Sequence, residues 1–280
     1  MKLKYIVLAI ILFTGYACRN KKIEEAANEA SRVKITKIGH EMISLPIRST
    51  GIVTSSKEIK LSFKTNGVIA DVFFDEGAKV RKGDILGEVS GKTKTLLAGE
   101  RLSLNILQRL SGIATLTSFF VDAVMGTDAK IIDTRKTTPC LRFMEKYSVR
   151  TGGGVNHRFG LFDAILIKDN HIEAVGSITK AVELAKAGYH LAKIEVEVEN
   201  LNDLQEAVEA GADVIMLDNM SINDMKEAVN IVQKRIPLEA SGNVSLQNVR
   251  EIAETGVDLI SVGALTHSAV AADISLKIVR

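Results

Sequence analysis

Two rhythms of apolar and polar positions follow one another along this chain. From Arg32 to Val89, runs such as "RVKITKI", "GIVTSS", "IKLSF" and "GVIADVFF" alternate or cluster β-branched and aromatic residues, and are broken at Gly39, Gly51, Gly67, Gly77 and Gly83. That texture predicts short strands with glycine turns, as in a small sandwich or barrel. From Ala98 the rhythm changes to short apolar strands, "KIIDT", "AILIK", "KIEVEVE", "DVIMLD", "LEASG" and "LISVG". Amphipathic stretches such as "SITKAVELAKAG", "NLNDLQEAVEAG", "SINDMKEAVNIVQKR" and "SLQNVREIAETG" lie between the later ones. Strand, helix with Ala, Leu and Val at helical spacing, glycine, then strand again predicts an α/β fold, a (β/α) barrel with a parallel sheet. Gly211 and Gly256 supply left-handed helix ends.

The segment from Tyr5 to Ala17 fits neither rhythm. It is a mostly apolar run behind the basic Met1-Lys2-Leu3-Lys4, too short for a comfortable membrane span and ended by Arg19-Asn20-Lys21-Lys22. This is the pattern of a secretory signal. Its end, Gly15-Tyr16-Ala17-Cys18, resembles a bacterial lipoprotein signal, which implies lipidation of Cys18 and membrane anchoring, with residues 19–31 as a polar tether. The domain reading is therefore a signal over 1–18, the tether, a β-rich domain over 32–97 and the barrel over 98–280.

Charge narrows the function classes. Lys and Arg number 36 against 34 Asp and Glu, so the chain has no bulk positive charge with which to hold nucleic acid. The two cysteines, Cys18 and Cys140, form no CxxC pair or Cys/His cluster, so neither a disulfide framework nor a structural zinc site is indicated.

Chemistry collects where the fold expects it. In a (β/α) barrel, functional groups sit at the C-terminal ends of the strands. Those ends carry Arg135-Lys136, Lys168-Asp169-Asn170-His171, Glu195 and Glu197, Asp218-Asn219, Ser241-Gly242-Asn243 and Gly263-Ala264. Arg101, Arg135, Lys136, Asn156-His157-Arg158 and Lys168 make a converging cationic set suited to a polyanion with carboxylates or phosphates. Glu197 and Asp218 suit ribose hydroxyls or a magnesium ion that keeps most of its waters. Glu195 shares a strand face with Glu197, and either serves equally as a structural ion-pair partner. Ser241-Gly242-Asn243 and Gly263-Ala264 offer backbone N–H groups and a hydroxyl to a phosphoryl group. "TGGGVNHR" at 151–158 reads as a loop whose backbone can approach a ligand, or as a plain mobile loop. His157 is the stronger functional histidine; His171 and His267 fit the holding of neighbouring loops.

Seven dispersed blocks carry a resemblance: "GERLSLNILQRLSGIAT", "DTRKTTPCLR", "EKYSVRTGGGVNHRFGLFDAILIKDNHI", "IEVEVEN", "IMLDNM", "EASGNVS" and "SVGALTHSAVAADISLKI". Together, from about residue 89 to the C-terminus, they resemble the quinolinate phosphoribosyltransferases, and so imply a type II phosphoribosyltransferase barrel. The activity implied joins quinolinate to phosphoribosyl pyrophosphate in NAD biosynthesis, with magnesium, in a homodimer or higher homo-oligomer. The resemblance places Arg101, Arg135, His157 and Arg158 on the quinolinate carboxylates, Arg101 reaching a neighbouring subunit's site. It gives Lys136 and Lys168 to pyrophosphate and substrate charge, Glu197 and Asp218 to ribose and magnesium, and Ser241, Gly242, Asn243, Gly263 and Ala264 to the 5-phosphate. Cys140 reads as a tolerated variation rather than a nucleophile.

The first 88 residues resemble something else. "GIVTSSKEIKLSFKTNGVIADVFFDEGAKVRKGDIL" is similar to the lipoyl-like motif of periplasmic adaptor (membrane fusion) subunits of efflux pumps. That implies a fusion with a seam near 83–91, inside a hairpin that both families tolerate, and an alternative in which the chain is a truncated adaptor with an inactive barrel. The two addresses conflict: the signal implies a membrane-anchored lipoprotein, the enzyme a cytoplasmic protein.

Overall fold

Glycine punctuation produces a hairpin where the sequence first turns from one rhythm to the other. β1 (Gly67–Val72) and β2 (Gly87–Gly91) pair antiparallel in a computed structural model that describes residues 67–279. The tip turns through Gly77 and Gly83, both with positive φ, and Arg81 donates its N–H to Asp84 at 2.7 Å. The "Gly83-Asp84, Ile85-Leu86" segment belongs to this tip, and the second strand starts at Gly87. Among the described residues this hairpin is all that the β-rich domain read over 32–97 contributes as strand. Residues 32–66, the signal-like run with Cys18 and the tether lie outside the described residues. Among the described residues no helix is long and apolar enough to cross a membrane.

α1 (Thr93–Ala123) follows at once, so the helix begins ahead of Ala98, where the rhythm of the sequence changes, and carries Arg101 within it. Gly99 hid this start: glycine weakens a helix, but here a Cβ would meet nothing within 4 Å, so no packing reason forces it. The buried positions of α1 begin at Leu104 and continue through Gly112, Ile113, Thr117 and Phe120. Its first turns therefore hold no buried residue, and Arg101 is exposed.

The six apolar segments all form strands: β3 (Lys130–Ile132), β4 (Ile165–Ile167), β5 (Ile194–Val198), β6 (Val214–Asp218), β7 (Leu238–Ser241) and β8 (Leu259–Ser261). They make one sheet in the order β3-β8-β7-β6-β5-β4, each pair parallel. β3, first of the six in sequence, hydrogen-bonds β8, the last, so the sheet curls round and leaves β3 and β4 as its edges. The segment after β3 fills that side, with Val155 bridging Ile132. Near-continuous apolar strands are what a parallel sheet covered on both faces requires.

Helices return the chain between strands: α2 (Arg142–Thr151) between β3 and β4, α3 (Asp169–Val175) and α4 (Ile178–Gly188) after β4, α5 (Leu201–Ala210) after β5, α6 (Ile222–Val232) after β6, α7 (Val249–Ala253) after β7, and α8 (Ala264–His267) after β8. Ser177, Asn200 and Ser221 cap the starts of α4, α5 and α6 by accepting backbone N–H groups. Gly211 ends α5 in the left-handed conformation. The core joins Val196, Ile215, Leu217, Ala240 and Ile260 of the strands to Leu204, Ala207, Ala228 and Val249 of the helices. Truncating a fully buried member such as Ile215 to Ala would cost about 2–5 kcal/mol.

Candidate functional site

Apart from Glu195, which is the second residue of β5 and buried rather than at its C-terminal end, the strand-end residues singled out from the sequence stand on one rim, because parallel strands bring their C-terminal ends to the same side. Asp133 to Lys136 follow β3, Lys168 follows β4, Glu197 lies one residue inside the end of β5, and Asp218 ends β6. Ser241 ends β7, while Gly263-Ala264 lie just beyond β8, Ala264 opening α8.

Between the open edges of the sheet lies a cavity of about 380 Å³ lined by Arg135, Arg158, Leu161, Ala164, Ile165, Leu166, Lys168 and His171. Two guanidinium groups meet here with donors to spare: Nε of Arg135 and Nε of Arg158 are both buried without a hydrogen-bond acceptor. Burial, and then the neighbouring Arg135, pull Arg158 below its ordinary pKa. Like charges with orphaned donors in one cavity are an arrangement completed by an anion, and guanidinium planes match carboxylates. Lys168 reaches across the rim to Glu197 Oε2 in an ion pair. His171 accepts the Lys168 N–H at Nδ1, 2.9 Å, which fixes the start of α3. Lys136 is exposed, with its stem close to Gly263.

His157 is gripped at four points. Its N–H donates to Asp133 Oδ1 at 2.8 Å, its carbonyl accepts from Lys146 Nζ at 3.0 Å, and its Nδ1 accepts the Arg158 N–H at 2.8 Å. The fourth contact is Nε2, 2.8 Å from Glu195 Oε2 and 3.5 Å from Glu239 Oε2. The ring therefore points inward, into a second cavity of about 190 Å³ that also touches Asn156, Glu195 and Glu239. Arg158 and Ala164 border both cavities. Burial disfavours a charged His157, and hydrogen bonds and charges from Glu195 and Glu239, taken against burial alone, would push its pKa up to about 10. The Arg158 N–H at Nδ1 opposes that charge, because an imidazolium has no lone pair there to accept it. The neutral ring with its hydrogen on Nε2 is the form that satisfies all four contacts. Glu239, almost fully buried, is pushed up to about 7, first by burial and further by Glu195.

Sequence reasoning passed over the residues behind this set. Asp133 and Lys146, both buried, form an ion pair, and Asn156 Nδ2 donates to the other Asp133 oxygen at 2.7 Å. Burial pushes Asp133 up and Lys146 down. Buried Glu145 takes the Arg109 guanidinium at 2.6 Å and the Thr138 N–H at 3.0 Å, while Arg109 also donates to the carbonyl of Thr266. Thr266 in turn donates its hydroxyl to the Lys136 carbonyl at 2.7 Å. This network ties the loop carrying Arg135 and Lys136 to α8.

The phosphate-type segment is tightly built. Gly242 has φ of +95°, and a Cβ there would fall 2.1 Å from Asn219 Oδ1. Asn219 and Asn243 also have positive φ, and Asn243 Nδ2 donates to Asn219 Oδ1 at 3.0 Å. The ends of β6 and β7 thus interlock. The triple glycine is packed rather than open. A Cβ on Gly152 would lie 2.4 Å from the Ala114 carbonyl, and one on Gly154 2.9 Å from the Thr117 side chain, so this turn is packed on α1.

Arg101 and Cys140, the cysteine read as a tolerated variation, line neither cavity. Arg101 is exposed in the first turns of α1, and Cys18 lies outside the described residues. Cys140 is exposed with φ of 64°.

Comparison with known proteins adds a family. The model of the quinolinate phosphoribosyl transferase C-terminal domain matches residues 113–277, and that of its N-terminal domain matches 17–111. A probable carboxylating nicotinate-nucleotide pyrophosphorylase of Bacillus subtilis is 45% identical over 234 residues, covering 82% of this chain and 81% of its own. The carboxylating nicotinate-nucleotide pyrophosphorylase of Mycobacterium leprae is 46% identical, covering 73% of each. The crystal structure of NadC from Streptococcus pyogenes superposes with a TM-score of 0.73 at 45% identity, covering 75% of each chain. The N-terminal match spans the 83–91 stretch, so the adaptor resemblance, the seam and the inactive-barrel alternative find no support. A glycine-turned hairpin is a local solution open to many folds, and on its own it did not discriminate between two families.

Proposed function

The chain belongs to the quinolinate phosphoribosyltransferase family, and from that premise we propose which of its residues carry the reaction of a carboxylating nicotinate-nucleotide pyrophosphorylase in NAD biosynthesis. The observation that supports the substrate assignment is the facing pair Arg135 and Arg158 with unfilled buried donors, beside Lys168. Quinolinate is a planar dicarboxylate, and its two carboxylates fit two guanidinium groups and an ammonium within about 380 Å³. His157, turned inward beneath them, sets the position of Arg158 through the contact between the Arg158 N–H and its own Nδ1.

The pyridine nitrogen needs no activated side-chain nucleophile; it needs placement against C1 of phosphoribosyl pyrophosphate. As it attacks, the bond from C1 to pyrophosphate breaks and negative charge gathers on the leaving group, where Lys136 and Lys168 stand. Glu197 and Asp218 face the ribose. Quaternisation then lets the neighbouring carboxylate leave as CO2: the electrons of that bond stay on the ring carbon beside the positive nitrogen, and a proton from solvent completes nicotinate mononucleotide. Interlocked Gly242-Asn243 and the start of α8 at Gly263-Ala264 offer backbone donors for the 5-phosphate.

Glu197 and Asp218 on adjacent strands present hard oxygen donors of the kind magnesium takes while keeping several waters, and Glu197 already holds Lys168, so its contact would run through water. Magnesium would supply countercharge to the pyrophosphate. Arg101, exposed in the first turns of α1, would serve the site of a second subunit in a homodimer or larger assembly. The β-hairpin, α1 and the sheet divide as an N-terminal domain and a (β/α) barrel open at one side. The test is release of pyrophosphate from phosphoribosyl pyrophosphate by the purified chain. Strict dependence on quinolinate and on magnesium is expected; a folded sample without such turnover refutes the reading.

A further inference from the structure

Two buried carboxylates beside His157, Glu195 and Glu239, have no part in the mechanism. Glu239 Oε1 and Oε2 and Glu195 Oε1 are buried without hydrogen-bond partners, and the two carboxylates share with His157 a group of ligand-type atoms all within 4.8 Å of one another. Two explanations compete for these orphaned oxygens, a cation or a proton. The histidine decides between them. A metal-bound imidazole donates its free ring N–H to an acceptor, whereas here Nδ1 accepts the Arg158 N–H at 2.8 Å. Nε2 therefore carries the hydrogen and donates it to Glu195, and no lone pair faces the cluster. Two carboxylates this close in a dry site do not both ionise without a cation between them.

We propose that Glu239 is held as a neutral carboxylic acid whose O–H donates to Glu195, and that this acid–carboxylate pair is a positioning device for His157 and, through it, for Arg158. One proton satisfies an oxygen on each side at once. Glu195, left with a single negative charge, orients Nε2–H; the ring's Nδ1 then holds the backbone of Arg158 at the wall common to both cavities. Loss of that proton places a second negative charge beneath the pocket that receives a dianionic ring, which weakens its binding. The charged groups around Glu239 are few. Glu195 comes from β5, His157 and Arg158 from the segment bridging β3, and Lys193 from the residue before β5, while β3, β6 and β8 bring only Ile132, Val214 and Leu259. Its pKa near 7 agrees with this placement.

The consequence for substrate rests on the quinolinate reading, so the test has an arm without substrate. With the full chain, the apparent KM for quinolinate should be flat below pH about 7 and rise by about tenfold toward pH 9. In E239Q, where an amide N–H replaces the acid O–H, it should stay flat; in E239L, which leaves Glu195 without its donor, it should be raised at every pH. Without substrate, a carboxyl whose folded pKa is raised from 4.5 to about 7 makes stability fall as pH climbs through that window. The wild-type Tm should therefore drop more between pH 5 and 7 than that of E239Q. Should E239Q not fold, infrared spectra of the wild type must show a protonated-carboxyl band lost around pH 7. Superimposable KM and Tm profiles for wild type and E239Q, or stoichiometric manganese binding abolished by E239Q, would overturn the proposal. A Tm difference without quinolinate turnover would instead sink the functional reading and leave the shared proton standing.

Discussion

Replacing Lys146 with methionine should cost this protein far more than a surface lysine would. Lys146 and Asp133 are both buried, and the pair spans from α2 to the end of β3. Methionine keeps the stem's volume but removes the charge and two donated hydrogen bonds, one to Asp133 and one to the His157 carbonyl. Asp133 keeps two donors, Asn156 Nδ2 and the His157 N–H, but its charge loses its counterion in a site with no solvent. Breaking a buried pair from one side costs about 3–5 kcal/mol. At about 2–4 °C per kcal/mol for a domain this large, Tm should fall by roughly 6–20 °C. The loss has a pH signature. Burial already raises Asp133 above its ordinary value, and without Lys146 it rises further. A raised carboxyl destabilises as pH climbs past it, so K146M should be hurt more at pH 8 than at pH 5. Urea unfolding at both values checks this, and D133N/K146M should regain more than about half of the loss. A deficit in K146M below about 1 kcal/mol, or one equal at both pH values, would refute the assignment of the pair as a buried clamp.

Three further outcomes follow from the site. R158A should lower kcat/KM for quinolinate by about 10- to 150-fold, the equivalent of one charged hydrogen bond at about 1.5–3 kcal/mol, in a steady-state pyrophosphate assay. G242A meets both a left-handed φ and an obstruction by Asn219 Oδ1, so it should destabilise by about 1–3 kcal/mol in urea unfolding and raise the KM for phosphoribosyl pyrophosphate. If Arg101 acts across subunits, an equal mixture of inactive R101A and inactive K168A, unfolded and refolded together, should recover about a quarter of wild-type activity, since half the dimers are mixed and each has one intact site.

The strands were legible because their apolar runs are short and each ends in polar residues, a pattern with one explanation in a parallel sheet. Glu195 was legible only as one of two options, and its partner Glu239 was passed over. A signal for Glu239 did exist: it stands between Leu238 and Ala240 as Glu195 stands between Ile194 and Val196, a carboxylate in the second position of an apolar strand. Lys146 gave none, because a lysine on a short helix reads as solvated until its partner 13 positions earlier is known. The early start of α1 was obscured by Gly99, and the hairpin's affiliation by its generic turn. Glu76 at that turn accepts from the Thr151 hydroxyl at 3.0 Å, a tertiary contact across 75 positions that no local pattern encodes.

The three glycines at 152–154 carry a last consequence, for how this enzyme can change. Gly152 and Gly154 leave no clearance against α1, and Asn156, His157 and Arg158 follow them directly in sequence. Any side chain gained at Gly152 or Gly154 must move either the helix or the ligand-facing segment. The same gauge can be adjusted from its other side. Thr117 faces both glycines, and a smaller or larger residue there would reset the spacing without touching a group that meets substrate. Variants with altered acceptance of ring dicarboxylates should therefore be sought on α1, at a position that a survey confined to the pocket would pass over.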